Sequence, residues 1–582
     1  MANDRLIPNP RFQNLITFSI LVDGTEIPGL ISVLSIVVHK EVNRIPTAMV
    51  VLMDGDPAEQ NFELSNQDLL IPGAEISISA GYNSTNNQIF KGIIVKHSIK
   101  INSKQASVLN IECKASAVKM TVGRKSKYFY ESKDSDVAEE IIRDYSLQTD
   151  INETSTTHAE LVQYHCTDWD FILNRTEVNG KICLIEDETI KISDPDYNQE
   201  PVLSLAYGDT IKEFEAEIDA RLQYSEVKSK AWDYGNQEVI EVDASDPRIE
   251  ESGNLTATDL AQVIGLDAFS MQHGGKANQE ELQSWADAQL LRNRMAKIQG
   301  RVKFQGMQAV KPGDLIELNG VGERFNGKVF VSAVRHQIAE GDWLTDVQFG
   351  FNPEWFTEKY DISHPEASGL SPAIKGLQVG LVTQLGEDPD GEDRILIRLP
   401  IINQDEQGIW ARVSSLDAGN NRGAFFRPEV GDEVIIGFIN DDPRQAIVLG
   451  GLHSSSKPAP ISATDDNHEK GIVTRSGMKL IFNDDENSIL VDTPNGNKIL
   501  LSEDDGSILL EDENGNKIQM NADGITIESV ADINISARGD INIEGVNVTA
   551  KAQAQLKAEG SAGAELSAGG STVVKGAIVQ IN

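Results

Sequence analysis

Over the first 350 residues, apolar and polar positions alternate in short runs rather than at helical spacing. Ile16-Thr17-Phe18-Ser19-Ile20 and Ile76-Ser77-Ile78-Ser79-Ala80 repeat with period two, the pattern of half-buried antiparallel strands. Two interruptions carry helical spacing. Val137, Ile141, Ile142 and Tyr145 share one face of a helix predicted over Ser135–Leu147. A second helix is predicted over Gln279–Gln299, with Asn278 as its cap, Glu281 completing a capping box and Gly300 where the helix ends. Two strand-rich halves, each with one helix, predict two related β-barrel domains.

His364-Pro-Glu-Ala-Ser-Gly-Leu-Ser-Pro372 has linker composition. The next segment places short strands at Leu377–Thr383, Arg394–Leu399, Gly408–Val413, Glu433–Ile439 and Ala446–Leu449, separated by Pro- and Gly-containing turns. That density predicts a small barrel of OB type. After a second linker the pattern changes. Asn495-Gly-Asn-Lys-Ile499 recurs as Asn514-Gly-Asn-Lys-Ile518, and then three octads, Asp523–Val546, align without gaps. They stack Ile525 and Ile527 over Ile533 and Ile535, then over Ile541 and Ile543. The phase slips by one residue and runs on through Val548 and Leu556. Short fixed periods of this kind predict a β-solenoid.

Each octad is expected to give one short strand with two inward apolar side chains. Two such residues bury too little to offset backbone ordering at roughly 1–2 kcal/mol per residue. Three intertwined chains would give every strand a partner, so the segment predicts a homotrimeric needle whose core holds these Ile residues with Val548 and Leu556. The fold class is mainly β, with organisation 1–365 (two barrels plus helical insertions), 366–374 (linker), 375–453 (OB neck), 454–470 (linker) and 471–582 (needle).

Charge narrows the partners. A formal net charge of −39 lacks the clustered Lys and Arg that phosphate binding requires, excluding nucleic acid and disfavouring a stable anionic-membrane site. Cys113, Cys166 and Cys183 are scattered and form no CxxC pair, which predicts buried thiols. The N-terminus shows no secretory signal, so synthesis in the cytoplasm is expected.

Candidate chemistry is sparse. His165-Cys166-Thr167-Asp168 holds nucleophile, base and acid types, but neighbours on a strand point to opposite faces; a packed strand end is expected. Asp388-Pro-Asp-Gly-Glu-Asp393 lacks the spacing of a calcium loop and reads as a turn. Acidic groups at Asp484–Glu486, Glu503–Asp505 and Glu511–Glu513 recur at turns and read as solvated corners. No catalytic residue, metal site or cofactor is predicted. A receptor- or polysaccharide-binding β-helical tail fibre, or a β-helical hydrolase or lyase, needs aromatic platforms; from Gly471 onward the only aromatic residue is Phe482.

Three stretches together resemble one family. Asp168-Trp169-Asp170-Phe171, with Glu177 and Gly180 downstream, resembles the DWDF…L…E..G segment of VgrG-type spike proteins. Arg427-Pro428-Glu429-Val430-Gly431-Asp432-Glu433-Val434, with Asp441-Asp442-Pro443-Arg444, resembles that family's OB signature, with Glu429 and Asp432 replacing commoner residues. The octads resemble its needle. The resemblance implies a fused hub and spike of a type VI secretion system or a related contractile injection particle. Its implied partners are a hexameric inner tube, baseplate components, a PAAR-type tip protein and effector cargo, with transient passage through a target membrane. The particle is expected to be loaded in the cytoplasm and released or translocated on firing. The terminal strand, ending Ile578-Val579-Gln580-Ile581-Asn582, is the expected docking face for the tip protein. Too few residues separate the OB segment from the needle for a lysozyme domain, and no effector extension is read after it.

Overall fold

In the computed structural model, residues 15–102 and 105–581 are described. The period-two patterns become strands: Ile16–Val22 runs antiparallel to Glu75–Tyr82, from Ile16 opposite Tyr82 to Val22 opposite Ile76. The chain divides into two compact units, Met1–Ala373 and Ile374–Asn582.

The first unit holds two β cores. One gathers Ile36, Val50, Ile78, Phe90 and Ile111; the other gathers Val302, Phe304, Leu318, Val331 and Phe349. Strand Gly327–Ala339 pairs antiparallel with Val33–Glu41 and joins both halves into a thirteen-stranded sheet. Each half carries a helical insertion beside small sheets. The first contains α1 (Asp134–Arg143) and α2 (Asp168–Val178). The second contains α3 (Ala257–Ile264) and α4 (Gln279–Met295).

Two helix ends differ from expectation. Helix α1 stops at Arg143 rather than Leu147, because Ser146 takes φ +58°, a left-handed turn. Helix α4 starts at Gln279 with Asn278 as its cap, the Glu281 N–H donating to Asn278 Oδ1 at 2.7 Å. The expected capping box does not close, the Glu281 carboxylate accepting from Arg175 at 3.4 Å instead, and the helix ends at Met295. Gly300 lies inside strand Ile298–Gln305. A Cβ there would stand 2.2 Å from the Glu215 carbonyl and 2.7 Å from the Phe349 ring, so the glycine permits strand packing rather than ending a helix.

In the second unit, Gln378–Gln384, Ile395–Arg398, Ile409–Val413, Glu433–Phe438 and Ala446–Gly451 close into a five-stranded barrel. Val382, Ile395, Ile397, Val434 and Ile436 fill it. A seven-stranded antiparallel meander comes next, from Glu469–Val473 to Gly524–Glu528. Lys479, Lys498 and Lys517 each begin a strand and stand nineteen residues apart. One repeat is therefore a hairpin plus the turn to the next. Those connecting turns are alike: Gly477, Gly496 and Gly515 take φ +86°, +98° and +91°, the left-handed region that glycine enters without a Cβ penalty. In each, the glycine N–H donates to the carbonyl of Thr474, Thr493 or Asp512, at 2.9, 2.9 and 3.1 Å.

Within one chain, the octad strand is realised only in the first octad. Gly524–Glu528 pairs with Lys517–Asn521, and no strand is assigned among the described residues after Glu528. The physical reason is partnership: these segments find no ladder inside their own chain, and Ile533, Ile535, Ile541, Ile543, Val548 and Leu556 are all exposed.

Candidate functional site

An organised surface lies on the meander. Strand register stacks alternate residues into columns. On one face, Phe482 sits opposite Ile489, Ile489 opposite Leu501, Leu501 opposite Ile508, Ile508 opposite Met520, and Met520 opposite Ile525. Beside them run Leu480, Val491, Ile499, Leu510, Ile518 and Ile527. From strand Lys479–Asn483 onward this face is apolar, while Lys470 on the first strand stands opposite Phe482; the side chains from Ile489 to Met520 are each 37–42 % exposed. An apolar stripe of this length on a strongly acidic protein marks an interaction surface.

The opposite face is built differently. Its middle column runs Ile481, Leu490, Leu500, Leu509, Gln519 and Thr526, and one flank alternates in charge. Lys479, Asp492, Lys498, Glu511, Lys517 and Glu528 face one another in succession across the strands. Nζ···O distances are 3.5 Å for Lys479–Asp492, 3.0 Å for Lys498–Glu511 and 3.1 Å for Lys517–Glu528. The sequence signal for this ladder is the nineteen-residue spacing of the lysines, which the octad pattern overshadowed.

Asp484–Glu486, Glu503–Asp505, Asp512 and Glu513 lie at turns or just beyond strand ends, whereas Glu511, expected at a corner, ends strand Ser507–Glu511 and belongs to the charged flank. Side-chain and backbone hydrogen bonds from Asn516, with others from Asn514, hold the Asp512 carboxyl down at about 2. The Asp484 carboxyl is also lowered, by its bond from Lys470. No group of three or more His, Cys, Asp or Glu suited to a metal ion occurs among the described residues. Asp388 is committed elsewhere: it accepts from Arg394 Nη2 at 2.6 Å and from the backbone N–H groups of Asp390, Glu392 and Arg394.

The DWDF segment opens α2. Strand Thr157–Cys166 ends, Thr167 caps the helix by accepting from the Asp170 N–H at 3.1 Å, and Asp168 begins it. Burial pushes the Asp168 carboxyl up. Bonds from Gln163 Nε2 (2.8 Å), Lys125 Nζ (2.6 Å) and the Tyr145 hydroxyl (2.6 Å) outweigh this and hold it below the usual carboxylate range. Trp169 and Phe171 are buried, and Phe171 stacks on Phe129 with ring centroids 6.0 Å apart. Burial raises the thiol of Cys166, which lies beside this helix start. Cys113 and Cys183 are buried too, and burial pushes both thiols up to about 12.

In the barrel, Arg427 pairs with Asp393. After Pro428 the loop turns through Gly431 at φ +86°, whose N–H donates to Val382 O at 2.7 Å. Glu433 and Val434 start the next strand, with Val434 fully buried. Two residues that sequence reasoning left without a role tie this loop to residues 457 and 475 downstream. Glu429 accepts from Arg475 at 2.7 Å, and Asp432 accepts from Lys457 at 2.7 Å. At the far end Ile578, Val579, Gln580 and Ile581 are exposed; Asn582 lies outside the described residues.

Residues 12–340, more than half of the chain, match the family described as the Alg8 N-terminal domain. Residues 378–453 match the type VI secretion system/phage-baseplate injector OB domain. Residues 488–582 match the phage baseplate V C-terminal trimerisation domain. The type VI secretion system spike protein VgrG1b of Pseudomonas aeruginosa is 22 % identical over 467 residues, 72 % of this chain and 60 % of that protein. Its paralogue VgrG1a is 25 % identical over 218 residues, 34 % of this chain and 33 % of that protein. The chain thus spans a third to three fifths of the length of these relatives. Among solved structures, the tail protein of Neisseria meningitidis MC58 is 15 % identical, with a TM-score of 0.44 over 58 % of this chain and 98 % of its own. The Escherichia coli c3393 protein, a component of the type VI secretion system, is 12 % identical, with a TM-score of 0.37 over 74 % and 99 %.

Proposed function

This chain belongs to the VgrG-type spike proteins and to the Alg8 N-terminal domain family, and on that footing we propose that it is the fused hub and needle at the tip of a contractile injection machine. Three copies would wind their meanders and octads together. The observation that carries this reading is the unbroken apolar face from Phe482 to Ile527, exposed in a single chain and lying almost wholly within the segment matching a trimerisation domain. Trimerisation would also give the later octads the backbone partners they lack inside one chain. Each large apolar side chain taken fully out of water would contribute roughly 1.5–3 kcal/mol.

The role is mechanical. The first unit would seat on a hexameric inner tube, the barrel would form the neck, and the needle would carry a PAAR-type protein and its cargo through a target membrane. Ile578, Val579, Gln580, Ile581 and Asn582 would form the docking face. The exposed apolar residues among them, with the family resemblance, support that assignment. The chain would be made in the cytoplasm and loaded into the particle there. Among the described residues no helix is long and apolar enough to cross a membrane.

Native mass measurement of the purified full chain tests the core of this reading: a trimer is expected, and a stable monomer would refute it. Co-purification with a PAAR-type protein, abolished by deleting Val573–Asn582, is the expected result for the tip. Retained binding after that deletion would overturn the tip assignment alone.

A further inference from the structure

The barrel carries two exposed apolar features on different strands. The first is a flap between strands Ile409–Val413 and Glu433–Phe438. It contains the small hairpin Ala418–Gly419/Arg422–Gly423. The Ala424 N–H donates to Asp417 O at 2.9 Å, Arg422 pairs with Asp417 at 2.7 Å, and Arg427 pairs with Asp393. The flap is thus braced, yet Leu416 is 98 % and Phe425 82 % exposed, with Phe426 close behind. The second feature is a dimple on the outer wall. Gly437 alternates with the fully buried Ile436 and therefore faces outward. A Cβ on it would stand 3.5 Å from Leu449 and 3.7 Å from Leu377. Both leucines are largely exposed, at 48 % and 62 %, and the missing side chain leaves a shallow apolar socket between them.

A cyclic trimer is held by heterologous contacts: a knob on one copy must meet a different surface on the next. Glu429–Arg475 and Asp432–Lys457 tie the barrel's 428–432 loop to the first turn of the needle sheet and to the linker, which sets the barrel at the root of the needle. Three needles wound together therefore bring three barrels to one root. Each would present a knob to its neighbour's socket.

We propose that the flap of each barrel, led by Leu416 and Phe425, seats in the Gly437 socket of the adjacent copy and closes the neck into a ring. This rests on the trimeric reading of the needle, and the occupant is a second copy of this chain. Beside the flap, Arg422–Asp417 and Arg427–Asp393 are paired within their own chain, so the contact itself is apolar with a polar rim.

The test uses the full chain carrying F425C and G437C together. Gly437 has room for the new side chain at ordinary van der Waals distance, and the three native cysteines are buried. After mild oxidation, a denaturing non-reducing gel is expected to show a band at three chain masses for the double variant and only one chain mass for either single variant. F425C with L449C is expected to behave likewise. A native mass of three chains with no covalent trimer would overturn the neck contact while leaving the needle trimer standing. An intrachain disulfide would also overturn it, as would cross-linking of F425C alone, which would mean that flap meets flap. A monomeric native mass would remove both readings together.

Discussion

His336 lies in the strand shared by the two halves of the first unit, 3 % exposed, with Nδ1 3.0 Å from Thr345 Oγ1. Burial, and secondarily the charge of Lys40, depresses its pKa from 6.5 to about 3. A depressed folded pKa means the unfolded chain takes up the proton first. This residue's contribution is complete above pH 6.5 and drains away as pH falls toward 3. In H336Q, the difference in urea midpoint between pH 7 and pH 4.5 is expected to shrink relative to the parent. Gly300 is equally specific. Adding one methyl forces a Cβ against the Glu215 carbonyl and the Phe349 ring, so G300A should lose roughly 2–4 kcal/mol in denaturant melts. The sequence marked Gly300 as special but assigned the wrong cause, since a helix terminator and a close-approach glycine look alike until the neighbouring strand is known.

Among the elements, the period-two strands, the apolar face of α1 and the Asn278 cap of α4 were legible because local chemistry sets them. Helix α2 was not. Its Asp168, Trp169, Phe171, Ile172, Leu173, Thr176 and Glu177 are all buried, so no clean polar stripe marks it, and DWDF could be recognised only as a motif. T167A removes the cap on that helix and should cost about 1 kcal/mol in thermal melts of the first unit. The charged flank of the needle sheet was hidden for another reason: alternation between partners is a property of register, not of any one strand. K498E would set three acids in a row between Asp492 and Glu511. Stability should fall by roughly 1–2 kcal/mol at low salt, and recover in part as salt screens the column.

At the scale of the whole molecule, the trimer was legible as a deficit. The octads offered apolar side chains and backbone groups with no internal partner, and the exposed face of the meander extends that deficit upstream through ordinary hairpins. The OB barrel of the neck was legible from its strand density, but the proposed contact between neighbouring barrels was not, because Leu416, Phe425, Leu377 and Leu449 are scattered in sequence and unremarkable until the barrel places them. Replacing Ile508 and Leu510 together by Asp puts two charges into the proposed core of the needle. The native mass is expected to drop from three chains to one, while circular dichroism retains the barrel and first-unit signal. A persistent trimer would locate the association elsewhere, with the neck the first place to look.

The nineteen-residue hairpin repeat makes the needle a ruler. Every repeat contributes two strands at about 4.8 Å each, ends on the same glycine turn, and restores both the apolar columns and the sign of the charge ladder. The length of this sheet can therefore change in increments of roughly 10 Å, and each increment leaves every other contact in phase. Excising Lys498–Asn516 should yield a shorter but well-formed spike, whereas removing half a repeat would flip lysine onto lysine and scramble the assembly. Reach, for this protein, is a countable quantity that duplication or loss of one small cassette can reset.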